Sequence, residues 1–275
     1  MSTLGPPSHR VRPAGVAALL AVAASTGLFA WNAQAATAPA SASPVSSAAS
    51  PATVTVTDER MAYTAADGQT NKLTIKRVSE TDTTLTFAVD DVVEITAGAD
   101  CTHPTATDLT YVTCTVPVPD PDHPRDQGNV ELGDGNDSVK ISGGDVNVYG
   151  GAGDDTITGA SVAVGGDGDD TISHATNANG NAGDDTITDS FAVWAGDGDD
   201  TVIGDDVANE IYGGPGNDYL DGAGNDDSID GQEGDDTIKG GPGNDYLFGG
   251  PGQDDIDGGP GDNVIDQDGS MPEGF

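Results

Sequence analysis

The segments GGAGDDTIT from Gly150, GGDGDDTIS from Gly165, GNAGDDTIT from Gly180 and AGDGDDTVI from Ala195 repeat one nine-residue pattern every 15 residues. From Gly204 onward the pattern recurs every nine: GDDVANEIY, GGPGNDYLD, GAGNDDSID, GQEGDDTIK, GGPGNDYLF, GGPGQDDID and GGPGDNVID. Self-similarity at a short fixed period is the mark of a stacked repeat architecture, in which each unit buries its apolar face against its neighbours.

The two periods describe one object if each coil consists of two strands and two turns. Late coils then hold two nine-residue units, and early coils replace every second unit by a six-residue one: GASVAV, HATNAN or DSFAVW. The apolar residue keeps its phase through the change. One series runs Ile157, Ile172, Ile187, Val202, Leu220, Ile238, Ile256, and the other Val148, Ala163, Ala178, Val193, Ile211, Ile229, Leu247, Ile265. Two continuous inward columns predict a thin core between two parallel sheets. An acidic low-complexity tail would have no reason to hold that phase.

Each nine-residue unit matches G-G-x-G-x-D-x-U-x, where glycine allows positive φ and close approach of the backbone to an ion. The sixth-position aspartates are Asp137, Asp155, Asp170, Asp185, Asp200, Asp218, Asp236 and Asp254 along one edge, with Asp227 and Asp245 on the other, flanked by Asn209 and Asn263. Stacked carboxylates stand about 4.8 Å apart and repel by about 3 kcal/mol per pair at an effective dielectric of 20. Such columns need counter-ions. Carboxylates and turn carbonyls form an all-oxygen cage, which suits several Ca²⁺ ions better than Mg²⁺, which keeps its waters, or Zn²⁺, which takes His or Cys. Sites completed only by stacking couple binding to folding.

On these residues, 127–266 resembles the RTX, or hemolysin-type calcium-binding, repeats. The resemblance implies a parallel β-roll with calcium between successive turns of one edge, held by the sixth-position aspartates and loop carbonyls. Two departures stand out: an N-terminal leader replaces the C-terminal secretion signal of type I exported toxins, and the six-residue inserts carry no aspartate at the required place. Calcium is therefore expected on one edge up to about Asp200 and on both edges beyond it.

Upstream, alternation at period two in TVTVT from Thr53, KLTIKRV from Lys72, TLTFAV from Thr84 and YVTCTV from Tyr111 predicts a small β domain over 53–126, with a turn at Asp67-Gly68. Cys101 and Cys114 are expected to staple it with a disulfide. The prolines between Pro117 and Pro124 read as the hinge into the repeats. Arg10 and Arg12, the apolar run from Val16 to Trp31, and Ala33-Gln34-Ala35 read as a signal peptide over 1–35. An Ala/Ser/Pro spacer covers 36–52, and 267–275 is a tail. The fold class is thus all-β, a disulfide-bonded N-terminal β domain followed by a β-solenoid.

With 47 acidic residues against 9 basic ones, nucleic acid and anionic membrane are poor partners, and no membrane insertion is expected after the leader is removed. No nucleophile elbow, HExxH helix or Walker loop occurs, and His9, His103, His123 and His174 lack partners at useful spacing. The reading is a secreted, extracellular, non-enzymatic calcium-binding protein, a structural or surface-interaction module whose cell-surface or glycan partner the residues do not single out. Two alternatives stay open: a calcium-stabilised hydrolase with its site within 53–126, and an adhesin or ice binder using the outward ladder Thr156/Thr158, Thr171/Ser173, Thr186/Thr188.

Overall fold

The computed structural model describes residues 50–118 and 127–269. The expected leader, all but the last three residues of the spacer, the proline-rich connection beyond Val118 and most of the tail lie outside the described residues. Every regular element described is a strand, and the strands form two twelve-stranded sheets. Each coil contributes one strand to each sheet, as with Val162–Asp167 in one and Thr171–Ser173 in the other.

Within the repeats all pairing is parallel and in register. Ile157, Ile172, Ile187, Val202, Leu220, Ile238 and Ile256 stand opposite one another in turn. Val148, Ala163, Ala178, Val193, Ile211, Ile229, Leu247 and Ile265 do the same in the second sheet. These columns are the core between the sheets, and from Val148 to Leu247 they are sealed from solvent. At the far end they open, with Ile265 46% exposed.

Hydrogen bonding runs without a break across the boundary expected near residue 127. Arg60–Thr64 pairs parallel with Gly128–Asp134, and Lys72–Glu80 pairs parallel with Ser138–Ser142. Tyr63 and Leu73 thereby extend the inward columns onto Val130 and Val139. Antiparallel neighbours complete this first layer: Ala52–Thr57 beside Arg60–Thr64, then Thr84–Asp90 and Tyr111–Pro117 beyond Lys72–Glu80. The layer therefore covers the N-terminal face of the solenoid, which would otherwise expose two rows of unpaired backbone groups.

Cys101 and Cys114 form a disulfide between paired strands of this layer. Closing a loop of this size stabilises by on the order of 3 kcal/mol. Reduction, or replacement of both cysteines by serine, is expected to lower the melting temperature of the calcium-loaded protein by several degrees. Differential scanning calorimetry with and without reductant reads it, and an unchanged transition would show that the bond adds nothing.

In the 15-residue coils the short turn reverses the chain through one left-handed residue, Gly159, His174 or Asp189, with φ of 81°, 57° and 51°. The next residue is small and buried in each case: Ala160, Ala175 and Ser190. That edge is closed by packing, with no buried carboxylate.

Candidate metal centre

The nine-residue turns place the sixth-position side chains in two stacks. Along the first edge, the backbone N–H of each stacked residue donates to Oδ1 of the aspartate one coil further on. This ladder runs from Asn71 to Asp137 and then through Asp155, Asp170, Asp185, Asp200, Asp218, Asp236 and Asp254, with N···O distances of 2.6–3.0 Å. On the second edge the same bond links Asn209 to Asp227, Asp227 to Asp245 and Asp245 to Asn263, at 2.8–3.0 Å.

Each aspartate thus uses one carboxylate oxygen to tie coil to coil. The other is left bare. Oδ2 of Asp137, Asp155, Asp170, Asp185, Asp200, Asp218, Asp227, Asp236, Asp245 and Asp254 is buried with no hydrogen-bond partner. An isolated orphan would be an accident of packing, but ten in two columns form a pattern that a bound cation satisfies. Buried oxygens without donors are otherwise strongly unfavourable.

Glycine at the first position of the turn leaves the space beside that oxygen open. A Cβ on Gly150 would meet both Asp155 Oδ2 and the carbonyl oxygen of Gly165 within 3.0 Å, closer than real Cβ atoms come. The same pair of oxygens, one carboxylate and one carbonyl from the next coil, surrounds Gly165, Gly180, Gly213, Gly231 and Gly249. Leu132 and Ala195 take this position in the turns of Asp137 and Asp200. Among the described residues no three His, Cys, Asp or Glu side chains converge on one point. The carboxylates are strung along an edge, so a complete coordination sphere must draw on main-chain carbonyls. Hard oxygen donors without nitrogen or sulfur fit Ca²⁺.

Without a cation the stacks are electrostatically loaded. Burial, reinforced by neighbouring carboxylates and only partly offset by the N–H donors, pushes Asp155, Asp185, Asp218 and Asp227 up to about 7. The same causes push Asp170, Asp200 and Asp236 up to about 6, and burial raises Asp137 and Asp245 as well. Folded-state values above that of the unfolded chain mean that the folded form holds more protons between about pH 4 and 7. The contribution of these aspartates to the metal-free fold is therefore fully present below about pH 4 and is lost as pH rises toward 7. Acidifying calcium-free protein from pH 8 to pH 5 is expected to restore β signal in far-UV circular dichroism. A signal that falls on acidification would reverse the sign of this account.

Beside these stacks runs a second ladder, not anticipated from the sequence. The fifth-position N–H groups of Asp169, Asp184, Asp199, Asn217, Asp235 and Gln253 donate to the side-chain oxygen of the fifth residue one coil back, at 2.8–3.2 Å. Its polarity is opposite to that of the sixth-position ladder. The doublets Asp154-Asp155, Asp169-Asp170 and Asp184-Asp185 were its signal. The first member is exposed, and in Asp169 and Asp184 its N–H ties backward, whereas the second is buried and ties forward.

Elsewhere the described residues offer less. His103 Nδ1 lies 3.1 Å from the Tyr111 carbonyl, and His174 Nε2 is 3.8 Å from Asp189 Oδ2 on the surface. The threonine ladder is in register, with Thr156, Thr171 and Thr186 opposite one another and Thr158 3.1 Å from Ser173. It is bounded by Ser138 and Lys140 on one side and by Ile203, Tyr219 and Asp221 on the other.

A family model for the RTX calcium-binding nonapeptide repeat, four copies, matches residues 131–163, 194–229 and 230–265. No curated protein matches the chain. The matched segments contain both stacks from Asp137 onward, with Asp170 and Asp185 falling between them in coils that continue the same register.

Proposed function

The chain carries RTX calcium-binding nonapeptide repeats, and on that premise we propose that it is a secreted protein whose solenoid is ordered by calcium held along its turn edges. The sixth-position aspartates are its ligands, with the first-position carbonyls of adjoining coils. The observation that carries this reading is the row of bare, buried Oδ2 atoms, all but those of Asp137 and Asp200 beside a glycine that leaves space for an ion.

Its role is structural or surface-interacting, and it is not an enzyme. The sixth-position aspartates of the repeats are used identically coil after coil, whereas a catalytic pair would need environments that differ. The basic, apolar and A-x-A segments of residues 1–35 support export, and the N-terminal sequence of protein recovered from the medium should begin at Ala36. An intact Met1 on protein that stays within the cell would remove secretion from the proposal.

Equilibrium dialysis at millimolar metal, about the range of extracellular calcium modules, tests the rest. Several calcium ions should bind per chain, magnesium should not compete, and Asp185→Ala should lower the uptake. Absence of calcium uptake would sink the reading.

A further inference from the structure

The turn formed by residues 65–71, ahead of the matched segments, stacks on the first repeat turn as though it were a repeat itself. Leu73 continues the inward column onto Val139. The Gln69 carbonyl lies against Gly135 as the Gly135 carbonyl lies against Gly153. Asn71 stands in the sixth position, its N–H donating to Asp137 Oδ1 at 2.6 Å.

A column aspartate accepts an N–H from the coil before it on Oδ1 and leaves Oδ2 bare. Asn71 has no coil before it. Its amide nitrogen takes over that side, donating to the Tyr63 hydroxyl at 2.8 Å and to Asp91 Oδ2 at 2.7 Å. Asp91 is itself fixed by the Tyr63 hydroxyl and by the N–H groups of Lys72 and Val92. Turning the amide over would set its oxygen against the Asp91 carboxylate, so this network decides which end faces the turn. The end that faces it is Oδ1, buried and without a partner, as is Asp137 Oδ2. Asn71 is only 1% exposed, so bulk solvent does not reach it.

The second edge reaches the same solution independently. Asn209 opens that column, donates its amide back to the carbonyls of Ser190 and Phe191 at 3.2 and 3.3 Å, and gives its N–H to Asp227. Its Oδ1 is buried and bare, and it lies with the Gly222 carbonyl in the space that a Cβ on Gly204 would fill.

We infer that Asn71 and Asn209 are cation ligands, each opening its column with a calcium site shared with the first aspartate, Asp137 or Asp227. This rests on the calcium reading of the repeats and extends it into the N-terminal layer. A neutral amide suits the position. It can donate backward, to Asp91 and Tyr63 in one column and to the Ser190 and Phe191 carbonyls in the other, while presenting a hard oxygen to the ion as its neighbours do.

Crystals of the chain from Ala36, grown in calcium and soaked in terbium, give the test through anomalous scattering. Peaks are expected within about 2.3–2.6 Å of Asn71 Oδ1 and of Asn209 Oδ1, as well as along the aspartates. Peaks at the aspartates with none at either asparagine would overturn this inference alone, whereas no peak anywhere would remove the repeat reading on which it rests. Native mass spectrometry supplies the second arm. Asn71→Ala is expected to hold one calcium ion fewer than the unaltered chain, and an equal count would overturn the site. If that variant fails to fold, the anomalous map of the unaltered protein decides.

Discussion

Stripped of divalent cations at pH 8, the chain is expected to lose its solenoid and expand, with an increase in Stokes radius that calcium reverses and magnesium does not. The first stack places eight aspartates in a row, from Asp137 to Asp254, each hydrogen-bonded to the next through a backbone N–H. At about 4.8 Å between strands, each neighbouring pair of charges costs about 3 kcal/mol. Seven such pairs outweigh the 5–15 kcal/mol by which domains are typically stable. Protonation relieves the load in acid, because burial pushes Asp155, Asp185 and Asp218 up to about 7, but at pH 8 it no longer does. Size-exclusion chromatography with and without chelator reads the change. An unchanged elution volume would mean that the stacks tolerate their charge without a metal.

Truncation of the core column comes second in expected effect. Ile187 sits between Ile172 and Val202, wholly buried, in one of the two columns that make the core. Ile187→Ala is expected to destabilise the calcium-loaded protein by about 2–5 kcal/mol. Coils contact only their neighbours, so the loss should also divide one cooperative transition into two. Ile265→Ala at the open end, where the side chain is already 46% exposed, should cost well under about 1 kcal/mol. Chemical denaturation of both variants in calcium checks the contrast, and equal losses would show that the column is not the core.

Much of this was legible in the sequence because the repeats state the same requirement many times. The phase of Ile157, Ile172 and Ile187 predicts the parallel register found in the sheets, and it survives the change from 15- to 18-residue coils because a shortened turn leaves the strand phase intact. The stacking of the sixth-position aspartates was legible because the repeat unit marks their place in every coil, and the structure sets them in line. Less legible was whatever occurs once. Arg60–Thr64 is short and non-repetitive, and its strand exists because the solenoid offers it an edge in Gly128–Asp134. Asn71 was hidden because its turn, ADGQTNKLT from Ala66, has a glycine only at the third place. Only the geometry reveals that it occupies the aspartate's position. The opposite polarity of the two ladders was hidden for another reason: the doublets mark where they run, but hydrogen-bond direction between coils leaves no trace in composition.

The most direct measurement is far-UV circular dichroism of residues 36–275 during a calcium titration of metal-free protein at neutral pH, with magnesium as control. Ligands completed only by stacking should give a sigmoidal, calcium-specific gain of β signal as the coils assemble together. A spectrum already β-rich without calcium, and unmoved by it, would contradict the claim that the aspartate stacks and the fold are one metal-dependent structure.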